Sequence, residues 1–229
     1  MQSIINGFLW GIKWPMAFLM VLLTIPAILS IKDIISFYLT AEVMIWFGIP
    51  FLICAVGLLF LPYIGASFLA ILEHELTHMI FALLTFHKPV DLDVQQNKGG
   101  SFSFKGTGNW LIALAPYFFP TFAVCVVLAS LVYISMEQPL PHTYWAILGT
   151  MTGYHLASTI LEIHPKQTDF KVAGYLFTIL FLPGANAIFY GMLLSFACLG
   201  WNGIGAFFNA LGQNTLLFIG KILQSQGMM

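Results

Sequence analysis

Charge is what this sequence has least of. Only 7% of its residues are charged and 59% are hydrophobic, against about 25% charged in ordinary soluble domains. So little charge cannot cover a water-facing surface, which excludes a soluble globular domain and points to a polytopic membrane protein. The formal net charge is −1, so there is no basic surface for nucleic acid. Arginine is absent, all eight basic residues being lysines, and no function follows from that. Cysteine is scarce as well. Cys54, Cys125 and Cys198 lie in three separate apolar runs, which excludes a CxxC knuckle and predicts buried free thiols. The first apolar run, from near Trp14, has no small-residue cleavage signal and reads as a retained helix. Without repeats, low-complexity tracts or a long polar domain, residues 1–229 read as a single integral membrane domain.

What the chain has in quantity is long apolar runs. Six of them, near 14–31, 42–62, 64–86, 110–135, 144–163 and 172–199, each approach the roughly 20 residues that a bilayer core requires. Pro62 separates the second from the third. A last stretch, 203–222, carries Asn209, Gln213 and Asn214 and reads equally as a seventh span, a re-entrant piece or an interfacial helix. The long polar segment is 87–108. In it Val90-Asp91-Leu92-Asp93-Val94 and Ser101-Phe102-Ser103-Phe104-Lys105 alternate apolar with polar, and Asn97 to Gly100 supplies turn chemistry. That pattern predicts a β-hairpin or a polar connecting loop. The expected fold is all-α, with about six transmembrane helices and one short hairpin. Threading six spans puts Lys32, Lys88, Lys98, Lys105, Lys166 and Lys171 on one side and Lys13 on the other. The positive-inside rule makes the first side cytoplasmic and the amino terminus external.

Inside the 64–86 run stands His74-Glu75-Leu76-Thr77-His78. Two histidines four apart project from one helix face and can reach one metal ion. The glutamate between them lies about 100° round the helix, where it can take a proton from water at that metal. Ionisable residues at membrane depth are costly and need a compensating partner, which a divalent cation supplies. Catalytic zinc needs a third protein ligand. His155, Glu162, His164 and Asp169 cluster between the fifth and sixth runs, and chemistry alone does not rank Asp169 over Glu162. Glu73 reads either as orienting a ligand imidazole or as pointing towards another helix. Thr77 reads as packing, His87 and His142 as ordinary loop histidines, and Asn186 as a hydrogen-bonding group between helices.

An HExxH inside a membrane helix, a polar Gly-Gly hairpin after it and a later aspartate on another helix resemble the site-2 protease family of intramembrane zinc metalloproteases. The likeness is to the compact bacterial branch without a PDZ domain. It covers roughly 64–180, the expected metalloprotease core. It implies that Zn2+ is held by His74, His78 and Asp169, and that Glu75 activates water. It also implies that Gly99, Gly100, Ser101 and Phe102 hold an extended substrate by strand addition. Phe170 stands where the family often has glycine, which keeps Glu162 as the alternative ligand. Ala113-Leu-Ala-Pro116 loosely resembles the family's proline region and reads equally as a helix kink. The implied activity is endopeptidase cleavage of a transmembrane protein substrate within the lipid bilayer. The implied location is the bacterial cytoplasmic (inner) membrane, with the site towards the cytoplasm. Three rivals use the same residues: a zinc hydrolase acting on a lipid amide, a metal-ion transporter, and a silent scaffold with structural zinc.

Overall fold

Helices dominate the computed structural model, which describes residues 1–60, 68–95 and 99–226. Helix α1 runs Gln2–Tyr38 with Pro15 and Pro26 inside it, well beyond the 14–31 expected. Helix α2 spans Ala41–Phe60. It starts on the Thr40 side chain, which accepts from Val43 N–H, and it includes a π-helical turn at Met44–Gly48. Helix α3, Phe68–Leu84, carries the HExxH motif. It ends in a hydrogen-bonded αL turn. His87 N–H bonds Ala82 C=O at 2.8 Å, Phe86 N–H bonds Leu83 C=O at 3.0 Å, and Phe86 takes φ 61°.

Two strands follow, β1 Pro89–Gln95 and β2 Gly99–Phe104. They pair antiparallel, Leu92 opposite Phe102 and Val94 opposite Gly100, with an irregularity between Pro89 and Asp91. The hairpin therefore forms where the alternation predicts it. Gly99 and Gly100, expected in the turn, belong to β2; Asn97 and Lys98 lie outside the described residues. Helix α4, Trp110–Leu114, is capped by Asn109, whose side chain accepts from Leu111 and Ile112 N–H. A 3-10 turn, Ala115–Tyr117, continues it. Then come α5 Thr121–Ser135, α6 His142–Glu162, α7 Thr168–Ala173, α8 Tyr175–Leu199 and α9 Trp201–Ser225.

Among the described residues the expected six spans are not all found. Among the described residues three helices, α1, α2 and α8, are long and apolar enough to cross a membrane. The α4–α5 pair makes a fourth if its 82° bend lies within one span. Helix α6 has the length, but Thr143, Thr150, Thr152, His155, Ser158, Thr159 and Glu162 lower its apolarity. Helix α3 is 17 residues long and includes Glu73, His74, Glu75 and His78; positions 64–67 of that expected span lie outside the described residues. Helix α9 falls short of the same apolarity and buries only the stripe Gly203, Phe207 and Leu211.

The contacts of α3 explain a second correction. Two of its polar partners sit at one end of its neighbours: Glu73 meets Phe122 at the start of α5, and His74 meets Glu162 at the last residue of α6. It does not carry the chain from one end of the bundle to the other. The amino terminus consequently lies on the hairpin's side. Gln2 Nε2 donates to Lys105 C=O at 3.0 Å, and Asn6 Nδ2 donates to Thr107 C=O at 2.6 Å. Lys13 thus joins Lys88 and Lys105, and Lys32 lies about 28 Å further along α1, at 1.5 Å per residue.

Packing between helices relies on close backbone approach. A Cβ at Gly149 or Gly153, four apart on α6, would lie 2.2 Å from the carbonyl oxygen of Phe47 or Phe51 on α2. Only glycine permits that contact, a small-residue seam of the membrane-helix kind. The main aromatic core, with Trp110, Tyr117, Phe118, Phe177 and Phe181, fills the space between α1, α3, α4 and α8 and fixes the floor beneath the HExxH helix.

Candidate metal centre

Helix α3 turns His74 and His78 to one face, where α7 brings Asp169. His74 Nε2 and His78 Nε2 are 3.1 Å apart. Asp169 Oδ2 lies 3.4 Å from the first and 3.6 Å from the second. A tetrahedral ion with bonds of about 2.0–2.1 Å to N and O has ligand atoms about 3.3–3.4 Å apart. The three separations fit that polyhedron, and His74, His78 and Asp169 form a group that could hold a metal ion.

The outer nitrogens fix the protonation of the inner ones. His78 Nδ1 is 2.8 Å from Ile112 C=O. A carbonyl only accepts, so Nδ1 carries the proton, and in the neutral imidazole Nε2 presents a lone pair. His74 Nδ1 is 2.8 Å from Glu162 Oε2, with the same consequence. With both imidazoles neutral, two lone pairs face a carboxylate oxygen. A cation is the partner this donor set lacks, and imidazoles bonded outwards to a carboxylate and a carbonyl are arranged as metal-binding histidines are.

Glu162, the alternative ligand, is thereby placed outside the triad: its carboxylate is spent on the far nitrogen of His74. His164 is exposed and accepts from Lys166 N–H. His155 is buried behind α3, its Nδ1 3.6 Å from Glu73 Oε2. Glu73 itself accepts from Phe122 N–H at 3.0 Å, so it does not orient a ligand imidazole. Thr77 donates to Glu73 C=O at 2.6 Å and meets the Thr121 hydroxyl, more than packing.

Glu75 is buried on the flank of the metal face, and the hairpin reaches it. A Cβ on Gly100 would lie 2.7 Å from Glu75 Cγ, 3.0 Å from Glu75 Oε1 and 2.5 Å from Ile71 Cγ2. The absence of a side chain at position 100 lets β2 lie against the carboxylate. Gly99 and Ser101 are exposed and Phe102 is half-buried. Among the described residues the sheet has two strands, so each has one edge without a strand partner.

Two features escaped the sequence. Tyr117 O–H donates to Asp169 Oδ2 at 2.9 Å. His87 is buried, not a loop residue in water: Nε2 is 2.9 Å from Thr107 C=O, Nδ1 is 2.9 Å from Thr85 Oγ1, and Asn6 and Asn109 extend the network. That network ties the base of the hairpin to α1 and to the end of α3. His142, by contrast, stacks on Trp46 at 4.6 Å and pairs with Glu42, away from the triad. An apolar cavity of about 470 Å3, lined by Ile163, Phe170, Ile179, Leu182 and Pro183 among others, runs beside the turn that bears Asp169.

Compared with protein-family models, curated proteins and solved structures, the chain matches none. The chemistry of the site rests on its own residues.

Proposed function

We propose that this protein is an intramembrane zinc metalloprotease of site-2 protease type, cleaving peptide bonds of membrane-embedded substrates. The observation that carries this reading is the juxtaposition of three convergent ligand atoms with a buried glutamate that abuts a strand. His74, His78 and Asp169 would hold the zinc. Bound there, zinc supplies Lewis acidity, bringing the pKa of water at the site to about 7 and polarising a carbonyl. Glu75 takes the proton of the attacking water and passes it to the leaving nitrogen. His74 and His78 are held in the ligating tautomer by Glu162 and Ile112. A substrate helix shields its own amides and must unwind locally before cleavage. The edge of β2, at Gly99, Gly100, Ser101 and Phe102, offers backbone hydrogen bonds to the extended strand. Five lysines at this end, Lys13, Lys88, Lys105, Lys166 and Lys171, favour a cytoplasmic orientation. A bacterial cytoplasmic membrane is the location that fits the resemblance.

The test is Glu75→Gln. Purified variant should keep its zinc and lose peptide hydrolysis by about 10²–10⁴-fold; normal turnover would remove Glu75 from the role of base. One observation favours a second reading. The apolar cavity beside Asp169 suits an acyl chain, as a hydrolase of lipid amides would need. Cleavage of an N-acylated lipid, with single-span peptides left intact, would favour that substrate class.

A further inference from the structure

Tyr117 touches the triad and has no role in the chemistry so far. Its side chain is fully buried. Its hydroxyl donates to Asp169 Oδ2, the same oxygen that faces both Nε2 atoms. Ile112 and Glu162 bond the histidines from outside; Tyr117 brings a proton donor to the inner side. The ring is wedged edge-on to His74, with centroids 5.3 Å apart at 87°, and against Phe170 at 4.6 Å. Its backbone carbonyl accepts from Asn186 Nδ2 at 2.9 Å. The 3-10 turn Ala115–Tyr117 leads into the 82° bend before α5. The ring is therefore fixed, and the O–H remains free to rotate about its C–O bond.

We propose that Tyr117 is a catalytic hydrogen-bond donor: its O–H turns from Asp169 to the carbonyl oxygen of the scissile amide and stabilises the charge that oxygen gains. This rests on the zinc-hydrolase reading and deepens it. When water adds, a C–O bond forms, the carbonyl π pair moves to oxygen, and the water proton goes to Glu75. When the adduct collapses, the pair returns, the C–N bond breaks, and Glu75 gives the proton to the leaving nitrogen. Tyr117 keeps its proton throughout. With the ring fixed, rotation about the C–O bond is the one movement that brings the donor to the oxygen where charge develops.

The test compares wild type with Tyr117→Phe after loading each with cobalt(II), using acetohydroxamate as a carbonyl-bearing probe read from the cobalt absorption bands. The variant should bind cobalt within about threefold of wild type and acetohydroxamate about tenfold or more weakly, as for loss of one oxyanion donor. On a fluorogenic single-span peptide kcat should fall about 10²-fold with KM within about twofold. Equal hydroxamate affinity overturns the proposal, as does failure of wild type to bind the probe. A tenfold or larger loss of cobalt affinity overturns it too, because the phenol then only positions Asp169. Should Tyr117→Phe fail to fold, 3-fluorotyrosine at 117 preserves the shape with a more acidic hydroxyl. Hydroxamate affinity should then rise, and an unchanged value contradicts the proposal. Wild type without metal would defeat the zinc reading itself, an outcome distinct from failure of Tyr117 alone.

Discussion

The two polar faces of α3 are used in opposite ways. On the front, the Nε2 atoms of His74 and His78 turn towards Asp169, whose Oδ2 accepts from Tyr117 O–H. On the back, Glu73 and Thr77 are engaged by protein: Glu73 by Phe122 N–H and His155, Thr77 by Glu73 C=O and Thr121. The back face is buried and the front face is half-buried, so both bear a cost of removing polar groups from water. The back face meets that cost with partners in the chain; the front face turns three ligand atoms to one point, as a metal ion would need. Burial and polarity alone would rank Glu73 with Glu75. The partners of Glu73 mark it as structural, which leaves Glu75 as the glutamate proposed for the chemistry.

The sharpest way to break this comparison is Glu73→Ala. It strands Phe122 N–H and His155 in the interior. Stability should fall by about 3–5 kcal/mol, as when one member of a buried pair is removed. The folded fraction should still bind metal, as judged by thermal melting and metal content together. Loss of metal at unchanged stability would put Glu73 on the front face. Next in size is Glu162→Gln, which keeps the shape but not the charge that supports His74. Metal affinity should drop about 10–100-fold, as for other groups that hydrogen-bond a ligand imidazole. Chelator competition measures it. A complete loss of binding would instead restore Glu162 as a ligand. Smallest is Gly100→Ala. The added methyl would press on Glu75 Cγ and Ile71 Cγ2, so turnover should fall about tenfold through misplacement of the base. Zinc content should not move, and an unaffected rate would detach the hairpin from the chemistry.

How far the sequence speaks depends on the distance over which each feature is encoded. The HExxH pair is a four-residue spacing, and the hairpin a two-residue alternation from Val90 to Phe104; both are local and both are legible. Gly174, at φ 87°, separates α7 from α8, so Asp169 sits on a short helix of its own just ahead of the expected sixth span. Its choice over Glu162 is not local. Both carboxylates are chemically able, and only the fold sends Glu162 to the outer nitrogen of His74 across 88 residues. Tyr117 is hidden for the same reason, its partner being 52 residues away. The span count failed differently. Hydropathy registers how apolar 64–86 is, not whether its helix passes from end to end, and the side of the amino terminus depended on that one crossing.

The central claim is that the empty-handed front face of α3 binds one zinc. Metal analysis of purified protein tests it most directly. Wild type should carry about one zinc per chain, and the His74→Ala, His78→Ala double variant none. Metal-free wild type, or stoichiometric zinc in the double variant, would contradict it.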